Sequence, residues 1–300
     1  MSKEAKEYVQ YLALMTPALL FFIIFLIFPI LSGAGIALTN AKVGGGGQFI
    51  GLANFADLLF GQSFLHEKFI RAFFWTAVFW LGNWATIFLL GFTLALILYE
   101  KVKFKSFFLI IIFIPYVISN LVVGFLMRML LDPTIGAVNW MLMSTGLIRE
   151  PITFLKEGWP ASLTLILVTG WKFAGFNMAI FLGGLVSIPK ETIEVAMIDG
   201  CTYIQRLFKV IIPQMWPTII AASVICFAGS WQVFAIPVGL AGTTHGGVKS
   251  LDLLAVVFYR WAFSKVGFGY ASAMMFLVTL VLFGGSILHL LLVKAKTVEY

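Results

Sequence analysis

The chain has 300 residues, of which 61% are hydrophobic and only 11% charged, against roughly 25% charged in ordinary soluble domains. No soluble fold of this length hides so much apolar surface, so lipid is the expected solvent for much of it. The net charge of +7 is modest and its lysines and arginines are scattered, which argues against a nucleic-acid partner, while Cys201 and Cys226 provide neither a disulfide framework nor metal-ligand spacing.

A spanning helix needs about 20 mostly apolar residues. Six runs meet that length: 12–38, 72–98, 107–130, 161–187, 217–240 and 270–293. The expected fold is therefore an all-α integral membrane protein, a single transmembrane domain over 1–300. The first run follows a short basic stretch with Lys3 and Lys6, but it is too long for a signal peptide and no convincing cleavage site follows, so it reads as a retained helix.

Orientation follows from lysine and arginine density. With the N-terminus inside, the inner segments 1–11, 99–106, 188–216 and 294–300 carry these residues about twice as densely as the outer loops 39–71, 131–160 and 241–269. Both termini are thus expected in the cytoplasm. The outer loops hold most of the turn chemistry: Gly44–Gly47, Asp132-Pro133 and the 241–247 stretch with His245. The glycine run reads as a flexible loop rather than a phosphate cradle, because no Lys-Ser/Thr pair follows it.

All thirteen acidic residues fall outside the six runs. A proton-driven carrier usually needs a buried carboxylate to load and release its proton, so an ion-coupled secondary carrier is disfavoured, with sodium coupling through backbone carbonyls left open. The chain has no GxxxxGK[ST] loop and hydrolyses no ATP itself. It also shows no paired carboxylates, Ser-His-Asp set or metal ligands, which argues against an enzyme. A substrate-free membrane scaffold is a third reading, which the polar residues of runs three to five weaken.

The segment 188–216 stands apart, with Lys190, Glu191, Glu194, Asp199, Arg206 and Lys209 between two apolar runs. Pro189, Glu191 and Glu194 suit the start of a short helix. Ile193, Ala196 and Met197 share one face of it, and Gly200 permits a sharp turn. Thr202 and Gln205 have capping-box spacing and open a second helix, which Pro213 is expected to end. The exposed face of such a helix–turn–helix suits a groove on a partner, or the segment lies at the lipid interface.

Glu194-Val195-Ala196, three residues, Gly200, nine residues and Val210-Ile211-Ile212-Pro213 resembles the EAA loop of ABC importer permeases. The likeness extends to Gly51-Leu52-Ala53-Asn54-Phe55, Ile114-Pro115-Tyr116, Leu131-Asp132-Pro133, Ser187-Ile188-Pro189-Lys190 and Phe268-Gly269-Tyr270-Ala271-Ser272-Ala273. It points to the carbohydrate-type permeases, a group that also handles glycerol phosphate, in their six-helix form. The resemblance implies four kinds of partner besides lipid: a second permease, two cytoplasmic ATPase subunits, an extracytoplasmic binding protein and a sugar substrate. ATP and Mg2+ then belong to the ATPase subunits, and this chain carries no cofactor. Glu194, Ala196, Asp199, Gly200 and Pro213 become the expected ATPase-coupling residues.

Polar groups inside spans are costly and therefore candidates for a path. They are Ser119 and Asn120 in run three, Trp171, Lys172 and Asn177 in run four, and Ser230, Trp231 and Gln232 in run five. By similarity to the maltose-type subunit, the fifth run around Gly229 is expected to line the path. Amides, hydroxyls and aromatic rings suit a sugar; helix–helix packing is the alternative role for each of these residues. Lys172 stands out as a midspan cation without an acidic partner, expected to face either a water-filled cavity or a neighbouring subunit.

Overall fold

The computed structural model describes residues 3–42, 46–100, 102–242, 248–264 and 266–294. Half of the Gly44–Gly47 run and all of 243–247 with His245 lie outside the described residues. Among the described residues the chain is helical, apart from an isolated antiparallel bridge between Thr39 and Phe49. Within those described residues, four helices are long and apolar enough to cross a membrane, or six if each of two bent pairs counts as one span. The chain divides into two compact units, Met1–Glu67 with Phe258–Leu277 and Lys68–Val257 with Val278–Tyr300.

In the first unit, the helix Lys3–Phe22 continues through a π turn at Ile23–Ile27 into Phe28–Ala37. Pro29 explains that turn. A proline ring collides with the carbonyl four residues back, and a widened turn swings that carbonyl aside. The apolar stretch of this helix is exposed, as expected of a helix surrounded by lipid or by another subunit.

The residues after this helix fasten its end. Asn54 is buried, and its Nδ2 donates to the carbonyls of Ala37 (2.8 Å) and Thr39 (2.9 Å). The Asp57 carboxylate accepts from Ser63 Oγ (2.8 Å) and from the Tyr270 hydroxyl (2.6 Å). Gly269 donates its N–H to Ala41 at 3.0 Å. The motif residues around 54 and 270 thus join the two stretches of chain that build this unit.

In the second unit the helix Trp159–Val186 is central, with much of its surface buried. Phe64–Tyr99, Lys105–Val117 and Trp216–Trp231 pack around it. One cluster of the core gathers Leu98, Met178, Phe181, Leu185, Ile211 and Met215. Another gathers Phe79, Val123, Leu165, Ile236, Leu240 and Leu253. Small residues let backbones touch: a Cβ on Gly124 would lie 2.8 Å from the Cα of Gly239, so Asn120–Leu130 meets Ala235–Ala241 without side chains between them.

Two of the expected continuous spans are interrupted. Run 107–130 is two helices, Lys105–Val117 and Asn120–Leu130, meeting at 93°. Pro115 weakens the ladder there by lacking an N–H, and Ile118 and Ser119 take extended backbone angles. Run 217–240 is likewise broken between Trp231 and Ala235. Periodicity does not reveal such breaks, because the residues on both sides remain apolar.

Candidate functional site

The two interruptions meet at one cavity of about 390 Å3. Asn120, first residue after the 93° bend, and Gly229, Gln232 and Phe234 at the other break line it together with Asn177, Asn83 and Thr169. Its apolar wall includes Phe79, Phe173, Phe176 and Ile236. Broken helices expose backbone and terminal side chains to a cavity, an arrangement that membrane proteins tolerate only where water or protein covers the freed groups.

Of the eight residues expected along a substrate path, Asn120, Asn177, Gly229 and Gln232 line this cavity and the other four do not. Ser230 is buried and accepts a hydrogen bond from Asn83 Nδ2 at 3.0 Å, so it joins helix to helix. Trp231 is buried among Phe73 and Phe227, with ring centroids 5.1 Å and 5.8 Å away. Ser119 and Trp171 are exposed away from the cavity lining. Asn83 and Thr169 were not singled out from the sequence. The cost of midspan polar groups applies equally to them and is the signal that finds them.

Lys172 faces neither a water-filled cavity nor a subunit boundary within this chain. It is 1% exposed, and its ammonium donates to the carbonyls of Pro115 (3.1 Å), Tyr116 (3.0 Å) and Ile118 (2.6 Å). These are the carbonyls that the end of Lys105–Val117 leaves without helical partners. The rings of Tyr116 and Phe173 lie 5.8 Å and 5.4 Å from the charge, adding cation–π attraction in a desolvated setting. Tyr116 also stacks on Phe176 at 4.9 Å and 10°, which ties the bend to the aromatic wall of the cavity.

The 188–216 segment forms a helix Lys190–Ile198, a turn at Gly200 and a second helix Tyr203–Gln214. Gly200 has φ +77°, the left-handed region that favours glycine. The capping box is present in both directions: Gln205 N–H donates to Thr202 Oγ1 (3.3 Å) and Thr202 N–H to Gln205 Oε1 (2.9 Å). Ala196 is buried and Ile193 packs on the core cluster, but Met197, expected on the same face, is exposed. A π turn at Leu207–Ile211 accommodates the Pro213 ring, and the second helix ends one residue past it, at Gln214, before a 68° bend into Trp216–Trp231.

The outward side of the segment combines exposed Glu194 and Asp199 with Val195, Met197, Ile198, Ile204 and Phe208. Ile198 is 84% exposed. Opposite that side, Ile193, Leu207, Ile211 and Met215 belong to the core that includes Met178, Phe181 and Leu185 of the central helix. The segment is thus packed directly on the helix that carries Thr169, Lys172 and Asn177.

The segment joining the two halves of the cavity wall is also built rather than loose. The Asp132 carboxylate accepts from Thr134 Oγ1 (2.6 Å), Thr134 N–H (2.8 Å) and Ile135 N–H (3.1 Å). Those three hydrogen bonds hold its carboxyl below the usual 3.8, the Thr134 hydroxyl contributing most. Asn139, buried, bridges the carbonyls of Asp132 (3.3 Å) and Ile152 (3.0 Å).

The chain is similar to a probable ABC transporter permease of Pyrococcus horikoshii, with 32% identity over 239 residues, 75% of each chain. It is also similar to the trehalose/maltose transport system permease protein MalF of Thermococcus litoralis, with 26% identity over 96% of this chain and 94% of that one. A crystal structure of a bacterial ABC transporter involved in the import of the acidic polysaccharide alginate contains a chain that superposes with a TM-score of 0.82 and 25% identity, over 98% of both chains. The family model for the inner membrane component of binding-protein-dependent transport systems matches residues 87–297, which spans both breaks, the helix–turn–helix and the cavity lining apart from Phe79 and Asn83. By that match, this chain belongs to the family of inner membrane components of binding-protein-dependent transport systems.

Proposed function

We propose that the chain is the transmembrane permease subunit of an ATP-driven sugar importer, a single permease domain crossing a prokaryotic cytoplasmic membrane six times with both termini inside. It pairs with a second permease of the same family. Two cytoplasmic ATPase subunits bind ATP and Mg2+ and grip the 188–216 helix–turn–helix, and an extracytoplasmic binding protein delivers the sugar or oligosaccharide. The kinship with a trehalose/maltose permease and with an alginate importer supports the sugar assignment.

One observation carries the coupling half of this reading. The helix–turn–helix presents Glu194, Asp199 and an apolar face outward while its other face is packed into the core shared with the Trp159–Val186 helix. A rigid element of this kind converts closure of a partner into rocking of the bundle. Glu194 offers a charge for a basic group of the ATPase, Ala196 packs inward, Pro213 follows the π turn at Leu207–Ile211 and Gly200 sets the sharp turn. The cavity lining contains no carboxylate, which supports external energy rather than ion coupling.

The test is ATP hydrolysis by the complex reconstituted in lipid, comparing wild type with Glu194→Ala and Gly200→Pro. Loaded binding protein should stimulate the wild type, and both substitutions should abolish the stimulation. Undiminished stimulation and uptake in both variants would reduce the segment to an interfacial loop.

A further inference from the structure

Two buried polar atoms in the cavity wall have no partner among the described residues: Asn83 Oδ1 and Thr169 Oγ1. Their residues are 8% and 3% exposed. Other buried threonines of this unit spend their hydroxyls on the preceding helical turn, Thr76 on the Ala72 carbonyl (2.7 Å), Thr86 on that of Asn83 (2.8 Å) and Thr164 on that of Pro160 (2.8 Å). Thr169 does not. A buried polar atom without a partner is expensive, and one that lines a cavity is satisfied when a ligand brings the missing group.

The rest of the lining identifies that group. Four primary amides, on Asn83, Asn120, Asn177 and Gln232, offer donors and acceptors together, which is the complement of a hydroxyl. Four phenyl rings, Phe79, Phe173, Phe176 and Phe234, supply flat apolar faces for the C–H side of a sugar ring. No ionised side chain is in the lining. Lys172, on the helix that supplies Thr169 and Asn177, has its ammonium committed to three backbone carbonyls. A carboxylate or phosphate entering the cavity would lose its hydration without gaining a cation. The volume lies within the roughly 300–1,000 Å3 of small-ligand sites.

Resting on the importer reading above, we propose that this cavity binds a neutral sugar and rejects anionic glycans and phosphorylated solutes, with Asn83 and Thr169 as direct hydrogen-bonding contacts. The Asn83 side chain is aligned for this by its own Nδ2, which donates to Ser230 Oγ and so keeps Oδ1 as an acceptor for a ligand hydroxyl. In this respect the chain departs from its structural relative that imports an acidic polysaccharide.

The complete transporter, expressed as the sole uptake route of a host cell, is offered neutral oligosaccharides, uronate oligosaccharides and glycerol 3-phosphate. Import of a neutral sugar alone is expected. Binding of that sugar to the purified permease–ATPase complex in nanodiscs is then followed by equilibrium dialysis for Thr169→Val, Thr169→Ser and Asn83→Leu. Loss of the Thr169 hydroxyl should weaken binding roughly three- to tenfold, and serine should restore it. The melting temperature of Thr169→Val should hold or rise, because an unpaired buried hydroxyl has been removed; a residue with a packing role alone would not show that divergence. Import of an anion overturns the proposal and leaves the importer reading standing. Unchanged binding in Thr169→Val, or no binding by the wild type, also overturns it, whatever Asn83→Leu does to assembly. Import of none of the solutes counts against the importer reading and this proposal together.

Discussion

The ammonium of Lys172 lies 2.6 Å from the carbonyl oxygen of Ile118, the residue at which Lys105–Val117 stops. A helix that ends inside a bundle leaves carbonyls that water cannot reach. Here one flexible cation collects three of them, across more than fifty residues of sequence. The bend in turn decides where Asn120 begins the next helix, and so whether that amide stands in the cavity.

Replacing Lys172 by Met, similar in length and uncharged, should therefore cost about 1–3 kcal/mol for each buried carbonyl left without a donor. The melting temperature of the purified complex would fall accordingly. Spin labels at the exposed positions Ile110 and Leu126, on either side of the bend, should report a longer and broader distance distribution in the variant. An unchanged distribution would mean that Pro115 alone sets the 93° angle.

Gly200 invites a graded test. Its φ of +77° is unfavourable for other residues, yet a Cβ there would meet nothing within 4 Å. The cost of Gly200→Ala is thus backbone strain of about 1–2 kcal/mol without a collision. Asparagine tolerates the left-handed region better, so ATP hydrolysis stimulated by binding protein should decline in the order Gly, Asn, Ala, Pro. Equal activity of the Asn and Pro variants would show that the turn is not held in this conformation when the transporter works.

The course of the chain was legible in its sequence where a single physical rule applies. Span length and hydropathy located the apolar helices, and Thr202 with Gln205 announced a capping box that is present in both directions. Spacing around Gly200 likewise announced the turn. What was not legible depends on distant partners. Lys172 reads as an orphan cation until the fold brings it to Pro115, Tyr116 and Ile118. Ser230 and Trp231 read as path residues because periodicity does not say which side of an apolar helix faces a cavity, and Asn83 settles that for Ser230 by hydrogen bonding to it. The helix end at Pro213 was legible to within a residue, whereas the π turn at Leu207–Ile211 has no sequence mark of its own.

Asp132 supplies a pH prediction. Its carboxyl is held below the ordinary 3.8 chiefly by the Thr134 hydroxyl, then by the N–H groups of Thr134 and Ile135. A depressed folded-state value means that the contribution is complete above the unfolded value of about 3.9 and is lost as pH falls through the folded one. Amide protection at Thr134 and Ile135, corrected for intrinsic exchange, should stay level from neutral pH down to about pH 5 and decline below about pH 4. Asp132→Asn should lower protection at neutral pH and flatten the dependence. A decline beginning near pH 6 would assign the effect to another group.

The last prediction concerns the unit built from Met1–Glu67 and Phe258–Leu277. Asn54 Nδ2 serves two carbonyls at the end of the first long helix, and Tyr270 reaches Asp57 from the start of the last one. In Asn54→Leu the two carbonyls lose their donor while the side chain keeps similar bulk, at a cost of about 1–3 kcal/mol. Tyr270→Phe removes one hydrogen bond to a carboxylate that still accepts from Ser63, and about 1.5–3 kcal/mol is expected for a charged acceptor. If the two contacts act independently, their effects on unfolding add to within about 0.5 kcal/mol. A double variant destabilised by clearly less than that sum would show that the helix end and the Asp57 contact support one another, because losing either already forfeits part of the other. Mean melting temperatures of the two single variants and the double variant, measured in one lipid composition, decide between these outcomes.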